Sequence, residues 1–69
     1  MENKNPKKDR LYHVTLSCSD ESESCIEMKS EHLADIMMAA RGWLMTSLAA
    51  NKVTIYNEEG FVIDSYIKK

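Results

Sequence analysis

Two cysteines and two histidines, Cys18, Cys25, His13 and His32, are the residues of this 69-residue chain with the most chemical potential. Six residues separate the cysteines. Structural zinc sites usually space a cysteine pair by about two to four. In the strand reading given below, Cys18 points inward and Cys25 outward, so the two are expected to share neither a metal nor a disulfide. A Cys–His nucleophile pair needs an electropositive or helix N-terminal setting. Asp20, Glu21 and Glu23 surround both thiols instead and disfavour a thiolate. No catalytic residue, metal or cofactor is therefore expected.

Two charged stretches offer further chemistry. Ser19 to Ser24 alternates acids with serines. A calcium loop spaces its oxygen ligands around a turn glycine. There is none here, so the stretch reads as a solvated hairpin loop. Residues 1–10 carry Lys4, Lys7, Lys8 and Arg10 against Glu2 and Asp9, a local charge of +2. Four cations on a flexible arm would bind phosphates weakly, with steep salt dependence and no sequence preference. No aromatic residue interleaves them to stack on bases. The chain as a whole carries −2, unlike a dedicated nucleic-acid binder.

The elements that position these residues follow from periodicity. Residues 1–10 read as a flexible basic arm and 11–69 as a single domain. From Leu11, Tyr12, Val14, Leu16 and Cys18 alternate with His13, Thr15 and Ser17, a half-buried strand. Cys25 to Lys29 alternates again. Setting Leu16 opposite Ile26 and Val14 opposite Met28 merges the apolar faces across a five-residue loop. Ser30 to Asn51 then carries Leu33, Ile36, Met37, Ala40, Leu44, Ser47 and Leu48 on one helical face. Ser30 is the expected N-cap and Asn51 the expected C′ residue. Gly42 lies inside the helix.

Val53 to Asn57 and Phe61 to Ile67 read as a final hairpin around Asn57-Glu58-Glu59-Gly60, with glycine left-handed. Pairing Ile55 with Ile63 and Val53 with Ser65 turns Val53, Ile55, Phe61, Ile63 and Ile67 inward. Thr54, Tyr56, Val62, Asp64 and Tyr66 then face the other side. The expected fold is an α+β domain of order ββαββ, a four-stranded antiparallel sheet with one long helix on one face.

Two sets of side chains are apolar without serving that core. Met38, Trp43 and Met45 lie off the main helical stripe, Trp43 close to its edge, with Arg41 between the two methionines along their side. Tyr56, Val62, Tyr66 and His13 gather on the outer sheet face. Methionine suits adaptable contacts, and tryptophan is enriched at binding hot spots. Met38, Arg41, Trp43, Met45, Tyr56, Val62 and Tyr66 are thus candidate partner-binding residues, for a host protein or a second copy. Lys4, Lys7, Lys8 and Arg10, together with the outer sheet face, are the candidates for the alternative, a weak nucleic-acid-binding protein. No small-molecule substrate is evident.

The layout Leu11–Cys18, Cys25–Lys29, Ser30–Asn51, Val53–Asn57, Phe61–Ile67 resembles that of short accessory proteins of enterobacterial phages and prophages. The resemblance implies a regulator or inhibitor of a host protein, without catalysis. No apolar run approaches the ~18 residues a membrane span needs, and no apolar leader follows the charged N-terminus. A cytoplasmic protein is the expectation.

Overall fold

The computed structural model describes residues 9–68. The expected arm therefore lies outside the described residues, apart from Asp9 and Arg10. The chain runs β1 (Arg10–Cys18), β2 (Glu23–Ser30), α1 (Leu33–Thr46), β3 (Ala50–Tyr56) and β4 (Val62–Ile67). All strand pairs are antiparallel, in the order β2-β1-β3-β4. This is the ββαββ sheet with one covering helix.

The alternation of β1 does the central work. Tyr12, Val14 and Leu16 point to the helix and are buried. Val14 sits opposite Ile55 and Leu16 opposite Val53, so the two inner strands bring four aliphatic side chains to one face. Ile36, Ala40 and Leu44, at i, i+4 and i+8, close over them. Ala50 completes the buried apolar set.

Both hairpins use one device. In each, a type I turn is followed by a left-handed residue. Gly60 takes that position in the second, at φ 92°. Glu21 takes it in the first, at φ 70°, although it carries a Cβ. The tighter first turn closes Cys18 N–H onto Ser22 O at 2.9 Å. It moves the register of β1 and β2 by two residues from the expectation. Val14 faces Ile26, and Leu16 faces Ser24. A shift of two keeps each side chain on its face.

The second hairpin departs more deeply. Val62 pairs with Tyr56, but Asp64 pairs with Ile55, so Ile63 is an extra residue in β4. Beyond this bulge every β4 side chain changes face. Tyr66 now opposes Val53 and packs against the core, correcting its outward assignment. Asp64 likewise faces the helix side. Phe61 and Ile67, expected in the core, are exposed, and Ile63 is only partly covered.

The helix is shorter than its periodicity implied. Ser30 belongs to β2 and pairs with Arg10. Its hydroxyl accepts from His32 N–H at 3.1 Å and donates to Asp35 Oδ2 at 3.3 Å. The N-cap position falls to His32, which makes no side-chain cap. Asp35 supplies negative charge to the first turn. At the other end, Thr46 Oγ1 donates to Gly42 O at 2.9 Å, competing with the helical ladder. Ser47 is extended, and Ala50 is already paired with Cys18. Leu48, expected on the buried stripe, is 96% exposed.

Candidate interaction surface

The described residues hold no cluster of three or more His, Cys, Asp or Glu arranged for a metal. Cys18 is half-buried against the core and Cys25 is exposed, both as free thiols. His13 Nδ1 lies 3.9 Å from Glu27 Oε2 on the outer sheet face. His32 lies 3.3 Å from Glu31 at the start of the helix. The soft ligands are thus dispersed over both faces. An open cleft of about 340 Å³ lies where Arg10, Tyr12, Leu33, Glu58 and Ile63 meet at one end of the sheet.

The helix positions its candidates by angle. At about 100° per residue, Met38 and Met45 point within about 20° of each other. Both point away from the side that buries Ile36, Ala40 and Leu44. Met38 is 71% exposed and Met45 65%. No contact with the sheet explains an apolar residue at either position. Leu48, just beyond the helix, is exposed as well.

Arg41 and Trp43 do not share that direction. They lie about 160° apart around the axis. Arg41 leans toward β4, with Cζ 5.0 Å from the Tyr66 ring centroid. Such a contact is favourable because the ring face is negative. Trp43 turns to the opposite flank and is half-buried against the core. Asp35, joined to Ser30 at the end of β2, lies on that same flank. The tryptophan therefore wedges between helix and sheet, and Met38 and Met45 form the fully projecting pair.

Tyr66 is held by more than packing. Its hydroxyl donates to Asp64 Oδ2 at 3.1 Å. Desolvation raises its pKa above the ordinary tyrosine value, and the Asp64 hydrogen bond and charge add to this. Arg41 opposes the shift. At the other hairpin, Asp20 accepts from the Ser22 hydroxyl at 2.6 Å and from Ser22 N–H at 3.0 Å. Those bonds hold its carboxyl below the ordinary value and brace the turn that strains Glu21.

The outer sheet face carries three cross-strand rows. One runs Glu27, His13, Tyr56, Val62. The next runs Cys25, Thr15, Thr54, Ser65, with Thr54 buried among its neighbours. The last runs Glu23, Ser17, Lys52, Ile67. Tyr56 and Val62 thus come together as expected, without Tyr66. Ile67 joins this face instead, which the alternation pattern missed because it runs through the bulge. Leu48 was missed for another reason, although the Thr46-Ser47 pair before it favours a helix end.

Of the nucleic-acid candidates, Arg10 opens β1, and Lys4, Lys7 and Lys8 lie outside the described residues. Glu23 and Glu27 set negative charge beside Lys29, Lys52 and His13 on the outer face. No described helix is long and apolar enough to cross a membrane. Comparison of the chain with protein-family models, with curated proteins and with solved structures found no match.

Proposed function

We propose that this protein is a small, non-catalytic interaction module that engages a protein partner through the projecting side of α1. The partner is a host-cell protein that it regulates or inhibits, in keeping with the phage-accessory layout. The carrying observation is the exposure of Met38 and Met45 on one line of the helix. Solubility and helix propensity would be served there by Lys, Glu or Gln. Methionine adds a flexible, polarizable surface that adapts to a partner. Trp43 and Arg41 act from the two flanks, fixing the helix on the sheet so that the ridge is presented rigidly. The outer sheet face sets Glu23 and Glu27 against Lys29 and Lys52, so it offers phosphate no net positive charge.

Glutamate at both Met38 and Met45 tests the reading. The double variant should fold as the parent does, since exposed substitutions usually change stability by no more than about 0.5 kcal/mol. It should lose a protein captured by the parent and by a Val62→Glu variant. A folded double variant that retains every captured protein would refute the ridge.

A further inference from the structure

We propose that β2 pairs edge to edge with β2 of a second copy, antiparallel and centred on Ile26, joining two sheets into one of eight strands. The surface is distinct from the helix ridge, so it stands independently of the proposed function.

The two edges of the sheet differ in kind. β4 is interrupted by the Ile63 bulge and turns the charged Asp64 toward the helix side. Both features discourage an added strand. β2 has neither. Its eight residues pair with β1 without a register shift, and among the described residues its other side is open. The Cys18 N–H to Ser22 O bond fixes the alternation of the ladder. Counting from it, Glu23, Cys25, Glu27 and Lys29 direct their N–H and C=O groups to the open edge. Ile26, on the helix side of this edge strand, is left 40% exposed.

The order of charges on β2 is self-complementary in two registers, and only one of them keeps most of the strand paired. Centring the pair on Ile26 sets Glu23 opposite the partner copy's Lys29, twice by symmetry. Among the described residues, neither group has an ion-pair partner within its own chain. Cys25 then meets Glu27, and Ile26 meets its own equivalent, covering the exposed apolar surface. Moving the centre to Cys25 puts Glu23 opposite Glu27. Moving it to Glu27 puts that acid opposite itself. Like charges directly opposed destabilise a sheet. Centring on Met28 also opposes Glu27 to Lys29, but it leaves only five residues of overlap against seven and turns Ile26 onto Ser30. A two-fold axis perpendicular to the sheet also keeps both helices on one side.

Sedimentation of the full chain from about 5 to about 500 µM tests this, a range suited to a small strand-edge interface. The parent should shift from monomer to dimer. Lys29→Glu should weaken dimerisation by about tenfold or more, and Glu23→Lys added to it should restore the dimer. Circular dichroism confirms that each variant is folded. Met38→Glu with Met45→Glu should leave the dimer intact.

Register is read separately by cysteine cross-linking in a Cys18→Ser, Cys25→Ser background. Ile26→Cys should oxidise to a covalent dimer, because facing non-hydrogen-bonded residues lie about 4.5 Å apart at Cα. Met28→Cys should not, being about 13 Å from its equivalent along the strand. A parent that stays monomeric throughout, a folded charge-swapped variant that does not recover, or cross-linking at Met28→Cys overturns the proposal. Cross-linking of Ile26→Cys to a different protein in place of itself also overturns it.

Discussion

Leu44 and Leu48 share one stripe in the sequence pattern, and the structure separates them. Leu44 is 3% exposed beneath α1, whereas Leu48 is 96% exposed past its end. Truncating Leu44 to alanine removes three carbons from a packed site, which costs about 2–5 kcal/mol. A 69-residue domain has about 3.5–10 kcal/mol of stability in total. Leu44→Ala should therefore consume between a fifth and all of it. With about 4–8 °C per kcal/mol for a domain this size, Tm should fall by about 8 °C or more. Leu48→Ala should move Tm by less than about 4 °C, because an exposed change costs within about 0.5 kcal/mol. Thermal and urea unfolding by far-UV circular dichroism measures both. Equal losses at the two leucines would refute the helix end at Thr46. A small loss at both would refute the buried stripe.

Glu21→Gly should stabilise the domain by about 1 kcal/mol in urea unfolding, because glycine occupies the left-handed region without a Cβ penalty. Gly60→Ala should destabilise by a similar amount at the matching turn. Tyr66→Phe should change the alkaline limb of stability. Its hydroxyl has a pKa raised by folding, so its contribution is complete below the ordinary tyrosine value and is lost as pH rises through the folded one. The phenylalanine variant should lack that component of the loss above about pH 10. The Asp20 carboxyl works in the opposite sense. Its lowered pKa stabilises the fold above the ordinary aspartate value and is lost as pH falls below about 3.9, a loss that Asp20→Asn should remove.

The fold class was legible because period 2 and period 3.6 alternate cleanly along the chain. Tyr12, Val14 and Leu16 are three consecutive inward positions of β1, and no local feature contradicts them. Ile36, Ala40 and Leu44 are equally plain on the helix. The inaccurate parts lie where a local signal was overridden or silent. Leu48, Ala49 and Ala50 favour helix, yet pairing of β3 with β1 claims Ala50 and ends the helix earlier. Ser30 has good N-cap chemistry, but β2 claims its backbone first. The Ile63 bulge leaves no glycine to announce it, so alternation read through it inverted Tyr66 and Ile67. Those same residues altered the candidate site. Met38 and Met45 project as their helical angle required, whereas Tyr66 left the outer face and became the support for Arg41.

A photo-reactive residue placed at Met38, at Met45 and at Glu58 in separate chains, expressed in the cells of origin, tests the interaction surface most directly. Glu58 is an exposed turn residue on the β3–β4 hairpin and serves as the reference. The expected result is one and the same protein cross-linked at Met38 and Met45 and absent at Glu58. Cross-linking at Glu58 alone, the same products at all three positions, or none at the two methionines would contradict the ridge as the contact surface.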